Sequence, residues 1–344
     1  MQRIARCHPW GTSGFDPVPK IIIKKVNMNK YMPGKKSTPH YDLLKGKMVM
    51  AFLILLTFMV SCRPGQQQSE ESKNPKVLVS ILPYKYFVEN IADDLVDVMV
   101  LIPPGSSPHA FDPTPRQMAK ISHVDIYFYN GNLTFEQSLI DKMKDNYPNL
   151  EFFCVDDGIE IIVNEESFDD DDHFGHDHKH HGIDPHTWLS TVNGRIIAKN
   201  VYSILSQKYP QHKEEFLENY NQLVAEIDMV HFEITEQLAN IPTRKFMIFH
   251  PSLSYFAQDY YLQQIPVEFE GKEPSPAQLR ASVDLGKREG LKAILIQKEF
   301  DMENARIIAI ELGGRVVQID PLSEIWNKNL LDIAEKISLS SHKL

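Results

Sequence analysis

The sequence predicts an α/β protein in two halves, each a mostly parallel sheet flanked by helices, with one long helix between them. Three observations carry that prediction. From Lys76 onward, short β-branched runs alternate with amphipathic stretches. The alternation stops near the middle of the chain and then resumes. Between the two series lies an apolar stripe of helical period. Strand, helix, strand, repeated, is the pattern of a parallel sheet covered on both faces.

In the first half, strand-like runs fall at 77–82, 96–102, 125–129 and 152–155, with helical patterns at 117–121 and 135–143. The second half repeats the rhythm. Strand-like runs there are 246–249, 265–269, 293–296 and 316–319, and helical patterns are 276–289, 302–312 and 322–338. Four strands are expected on either side of the midpoint. Between them, Phe216, Tyr220, Leu223, Ile227, Val230, Ile234 and Leu238 recur at steps of three or four. That stripe predicts one helix over 210–241, roughly 45 Å long at 1.5 Å per residue and able to run as a spine between the halves. The alternative is two helices broken near His231.

The first sixty-odd residues read differently. Lys45 and Lys47 precede a single apolar run, 48–60, which ends at Ser61 and Cys62. A basic segment, a short apolar segment and a small residue before a cut describe a secretory signal, and the run is shorter than the ~20 residues of a spanning helix. No other segment reaches that length. Cys62 at the cut resembles a bacterial lipobox and would become the lipidated first residue of the mature chain. Met59 stands where Leu is commonest. The alternative is an ordinary cleaved signal, with Cys62 left as a free thiol. The boundaries that follow are an upstream extension at 1–47, a signal at 48–61 and a flexible polar tether at 62–75. A first lobe occupies 76–190, helices including the long linker 191–241, and a second lobe 242–344. Translation from Met48 or Met50 would omit the extension.

The formal charge of −10 argues against nucleic acid, whose backbone requires a basic face. Removal of 1–61 leaves 26 basic against 44 acidic side chains, a net charge of −18 that suits a cationic ligand. Cys154 is then the only other cysteine, so the mature fold cannot depend on an intramolecular disulfide.

Residues 168–182, FDDDDHFGHDHKHHG, form the one low-complexity segment. His173, His176, His178, His180 and His181, among five Asp, predict a surface loop that binds borderline metals weakly. The alternative is a solvated charge run whose histidines bind nothing. Four other positions carry sharper chemistry. His109 lies in PPGSSPHAFDPTP, His186 in DPHTWLS, His250 closes KFMIFH, and Asp320 closes RVVQID. All four fall at the ends of strands or in the loops that follow, where open α/β sheets bind ligands. Each alone reads as readily as a hydrogen-bonded turn residue. Together, three imidazoles and one carboxylate make a four-coordinate set that suits Zn²⁺.

The chain resembles the metal-binding lipoproteins of bacterial ABC importers for zinc and manganese, the cluster A-I or family 9 solute-binding proteins. The resemblance rests on the signal with Cys62, PPGSSPHAFDPTPRQM, VDIYFYNGNLTFE, the His-rich loop, DPHTWLS, the long helix, FHPSLSYFAQDY, EFEGKEPSPAQL and VVQIDPL. These occur in the family's order and cover nearly everything from Lys76 to the end. The resemblance implies two small α/β lobes joined by one long backbone helix, with metal in the cleft. Carried over residue by residue, the ligands are His109, His186, His250 and Asp320. Manganese-type members have a carboxylate at the third position and zinc-type members a histidine. His250 and the His-rich loop both point to zinc.

The implied function is a non-enzymatic, monomeric carrier, periplasmic or at the cell surface. It would capture Zn²⁺ and deliver it to a permease and its ATPase. A manganese or iron carrier, or an adhesin of the same fold, is the alternative. A secreted zinc hydrolase with Asp320 as general base is a further one. It fits poorly, because H-E-x-x-H is absent and the ligands lie 64–77 residues apart. Among other conspicuous residues, Glu136 reads as a helix cap, and Glu268 and Glu270 as interlobe or surface residues. His123, His212, His231 and His342 read as exposed or packed helix residues, and Cys154 as a small core residue.

Overall fold

The computed structural model describes residues 74–109, 111–164, 182–268 and 274–341. The apolar run 48–60, Cys62, Glu270, His342 and the loop histidines His173, His176, His178, His180 and His181 lie outside them. The first sheet contains β1 (Lys76–Val79), β2 (Asp97–Val100), β3 (Ile126–Tyr129) and β4 (Glu151–Cys154), all parallel, in the order β2-β1-β3-β4. Three helices join them: α1 (Leu82–Ala92), α2 (Pro115–Ile121) and α3 (Thr134–Asn146). A short antiparallel ribbon, β5 (Val163–Asn164) with β6 (Gly182–Ile183), flanks the residues of the His-rich segment. Two long helices follow, α4 (Thr191–Lys208) and α5 (Lys213–Leu238).

The second sheet contains β7 (Lys245–Ile248), β8 (Gln263–Pro266), β9 (Ala293–Gln297) and β10 (Arg315–Ile319), with α6 (Ser254–Asp259), α7 (Pro276–Arg288), α8 (Met302–Glu311) and α9 (Trp326–Ser341). Its order is β10-β9-β7-β8, again wholly parallel. Read from the other edge it is β8-β7-β9-β10, the same winding as the first sheet. The two lobes even start a corresponding helix with the same device. Thr114 caps α2 and Ser275 caps α7, each followed by Pro and reciprocated by a Gln three residues on. β9, a central strand, is buried at all five positions of AILIQ, as a parallel strand covered on both faces requires.

The spine is α5, which runs unbroken through His231 for 26 residues, about 39 Å. Its buried stripe is Phe216, Leu223, Ile227, Val230, Ile234 and Leu238, packed against α1, α4 and α9. The predicted helix was longer at both ends. Pro210–His212 forms a 3-10 turn instead, and at the far end Arg244 donates to Leu238 O and, at 2.8 Å, to Tyr260 O. That guanidinium closes the helix and ties it to the second lobe. α4 and α9 meet at Gly194, where a Cβ would come within 2.8 Å of the Trp326 ring. One continuous core includes Val77 and Phe128 of the first sheet, Ile248, Leu295 and Ile319 of the second, and the α5 stripe. A smaller cluster under α7 and α8 contains Met247, Ile294, Ile308 and Leu312. No described helix is long and apolar enough to cross a membrane.

Candidate metal centre

In each lobe the chain crosses from β2 back over β1 to β3, or from β8 over β7 to β9. This leaves a switch point between the two middle strands, where open sheets form a crevice. In the first lobe that crevice is filled by a buried polar network. Asn130, just past β3, has its side-chain amide 2.6 Å from Asp156 Oδ2 and 3.1 Å from both Pro185 O and Thr187 Oγ1. Tyr84 donates to the other oxygen of Asp156 at 2.8 Å. Pro185 and Thr187 flank His186, so this network fixes its loop to the sheet. Beside it, Glu136 at the third position of α3 accepts Asn130 N at 3.0 Å and Gly131 N at 2.7 Å. Gly131 has φ of +96°, and burial pushes the Glu136 carboxyl up to about 7. Glu136 therefore ties the loop after β3 to the helix. It does not cap α3 as expected, since its bonds go to Asn130 and Gly131 ahead of the helix and the N-cap residue Leu133 makes no side-chain cap bond.

His186 is oriented by its own neighbour. Asp184 Oδ1 accepts the His186 backbone N–H at 2.9 Å and its Nδ1–H at 2.7 Å, both residues being buried. Burial works to raise the Asp184 carboxyl, but the His186 ring, the His186 N–H and a hydrogen bond with Ser254 together outweigh that and hold it below its ordinary range. With Nδ1 occupied, Nε2 is the nitrogen left to bind.

His250 follows β7 at the second lobe's switch point. Pro251 has no N–H to continue a ladder. Gln297, the last residue of β9, takes over by donating to His250 O at 2.6 Å and to Ser252 Oγ at 2.8 Å. The His250 ring stacks on Phe300 with centroids 5.2 Å apart and planes 19° apart. Its Nδ1–H donates to Glu268 Oε2 at 2.7 Å, and Nε2 is buried with no hydrogen-bond partner among the described residues. Burial holds this imidazole below its ordinary pKa despite the opposing pull of Glu268.

His109 is placed by a turn. Ser106 N donates to Pro103 O at 3.2 Å, and Gly105 at φ +79° permits the reversal. The residue is exposed, yet its ring centroid lies 5.3 Å from that of His186 and 4.6 Å from that of His250. Lost hydration and then the two imidazoles hold it well below the usual imidazole range. The structure thus brings His109, His186 and His250 together, with one ligand atom of each within 4.8 Å of the others. Tetrahedral Zn–N bonds of about 2.0–2.1 Å place nitrogens about 3.4 Å apart, so a zinc ion would need only a small closure.

Asp320 does not join this group. Its Oδ2 accepts from Lys298 Nζ at 2.6 Å and its Oδ1 from Leu322 N at 3.3 Å. Sequence reasoning also missed partners. Asp184 was legible in Asp-Pro-His, where a carboxylate two residues before an imidazole can reach it. Glu268, expected at the surface or between lobes, is instead buried against His250. No local pattern marks Gln297, Glu299 or Phe300, which line the same cavity as the histidines.

A cleft between two α/β lobes in which three imidazoles converge defines a metal-binding protein. The chain matches the family model described as "ZnuA: Zinc-uptake complex component A periplasmic" over residues 77–335, and it belongs to that family. It is 28% identical over 268 residues to the manganese ABC transporter substrate-binding lipoprotein PsaA of Streptococcus mitis, spanning 74% of this chain and 82% of that one. It is 27% identical over 302 residues to the zinc-binding lipoprotein AdcA of Streptococcus pneumoniae, spanning 85% of this chain and 59% of AdcA. Among solved structures, a crystal structure of ZnuA superposes with a TM-score of 0.72 at 33% identity, covering 78% of this chain and all of that one. A ZnuA deletion mutant with zinc bound gives 0.72 at 32% identity, covering 79% of this chain and 99% of that one. The protein is a metal-binding, substrate-binding component of an ABC metal importer, a class that works with a permease and an ATPase. Such components are carriers and not enzymes.

Proposed function

We propose that this protein captures Zn²⁺ outside the cytoplasm through His109, His186 and His250 and delivers it to its permease. The observation that carries the reading is the convergence of three imidazoles, two of them held at Nδ1 by buried carboxylates. Nitrogen donors suit zinc, whereas manganese prefers oxygen. The zinc-bound ZnuA mutant, similar at 32% identity, supports the same ion. Asp320, the fourth ligand that the resemblance implies, is held by Lys298 and stands outside this set of three. Cys62 anchors the mature, monomeric chain to a membrane through lipid, in keeping with the lipoprotein relatives. The segment 168–182 binds further metal weakly.

Elemental analysis of the purified mature chain, followed by zinc and manganese titration against a chelator, tests the reading. One zinc per chain, held more tightly than manganese and lost in His186→Ala, is the expected result. Manganese preference would move the protein to the manganese carriers.

A further inference from the structure

Two carboxylates approach this cleft from the second sheet, and the fold treats them differently. Gln297 at the end of β9 pairs in register with Ile319 at the end of β10. One step beyond the sheet, Lys298 therefore lies beside Asp320, and its ammonium donates to Oδ2 at 2.6 Å. The other oxygen of Asp320 accepts Leu322 N. Both oxygens are engaged, and Asp320 is not among the residues that line the cavity of the three imidazoles. Glu299, two residues past β9, does line it, half-buried beside His250 and Phe300, although like Asp320 it stands outside the group of three imidazoles whose ligand atoms lie within 4.8 Å of one another. Into the same cavity faces His250, whose Nε2 is buried without a partner among the described residues.

We propose that Glu299 is the carboxylate that faces the captured cation beside the three histidines, and that Lys298 sets selectivity by withholding Asp320. The inference rests on the metal-capture reading above and adds a ligand and a specificity-determining residue to it. A cation engaging Asp320 must first displace an ammonium, whereas one engaging Glu299 displaces none. With Asp320 withheld, the donor set stays at three nitrogens and one oxygen, a combination zinc favours. With Asp320 released, a second oxygen joins, and oxygen-rich sets favour manganese. The Lys298–Asp320 pair is partly exposed, so its hold is modest and the competition is tunable.

The test uses the mature chain with Glu299→Gln, Asp320→Asn and Lys298→Met, titrated with zinc, manganese and cobalt(II) as spectroscopic probe. Glu299→Gln should weaken zinc binding at least about tenfold and alter the cobalt absorption, as loss of a direct ligand exceeds loss of a supporting one. Asp320→Asn should change zinc affinity by less than about fivefold, the range an exposed pair supports. Lys298→Met should raise manganese affinity relative to zinc. Wild-type affinity in Glu299→Gln, or weaker zinc binding there with an unchanged cobalt spectrum, overturns the proposal. So does a tenfold or greater loss in Asp320→Asn. If the unmodified chain binds no divalent ion, the capture reading itself fails. If it binds one and Glu299→Gln matches it, only the present inference falls.

Discussion

Glu268 offers the sharpest test of how the site is held, because it touches the proposed zinc ion only through His250. Its carboxylate, 4% exposed, accepts the His250 Nδ1–H at 2.7 Å. That bond fixes the ring's rotation, keeps the proton on Nδ1 and raises the electron density at Nε2. Glu268→Gln retains an acceptor oxygen and so preserves orientation, but it removes the charge. Glu268→Ala removes both and leaves a buried imidazole donor unpaired. Carboxylates behind metal-bound histidines are worth about 10–100-fold in affinity, or about 1.4–2.7 kcal/mol. Gln should fall near the lower end of that range and Ala near the upper. The Ala variant should also lose about 1–3 kcal/mol of metal-free stability through the orphaned donor. Zinc titration against a chelator reads the first effect, and urea unfolding of the metal-free chain reads the second. Wild-type zinc affinity in Glu268→Ala would refute the reasoning, because the His250 nitrogen would then not be a ligand that Glu268 prepares.

Acid should destabilise the metal-free protein. His109 and His250 are held below their ordinary pKa, so between those values and the unfolded value near 6.5 the unfolded chain binds more protons than the native one. Melting temperature should therefore drop as pH falls through about 6.5, and His250→Gln should flatten that drop. An identical pH profile in the variant would refute the assignment. Deletion of residues 168–181 should leave one tight zinc site and remove only weaker binding, since a tract must be ordered at about 1–2 kcal/mol per residue to grip an ion. Loss of the tight site would place the loop histidines in it. Cys62→Ser should leave zinc binding intact and release the protein from membranes, which fractionation checks directly.

The fold was legible because its strands and its spine announce themselves by period. The β9 sequence AILIQ and the seven-residue stripe of α5 each admit one environment. α1 was hidden because the apolar run of β1 continues into it, although Pro83 near its start marks a helix entrance. The three histidines were legible because strand ends and the loops after them define a small set of positions. The same rule could not separate Asp320 from its neighbours. Whether a strand-end side chain reaches the cleft depends on what stands beside it in the sheet, and Lys298 reaches Asp320 only through the β9–β10 register. Glu268 was opaque for a similar reason, as eighteen residues separate it from His250 and only the tertiary fold brings them together.

The two lobes share one winding but supply differently prepared ligands, and that difference bears on how a carrier can both hold and release an ion. At the first switch point, Asn130, Asp156 and Tyr84 lock the peptide on either side of His186. At the second, Gln297 and Glu268 lock His250 by backbone and ring. Most of the ordering cost at these two imidazoles is met before any ion arrives, which favours tight capture. His109 is built otherwise. It sits exposed on a glycine turn, and among the described residues its backbone N–H reaches Ser107 Oγ, at 3.3 Å. Two fixed ligands and one on a loop predict a site that closes by moving His109 and opens by the same motion. Release then requires no disruption of either buried network, and a permease that draws the 103–109 loop aside would lower affinity without unfolding a lobe.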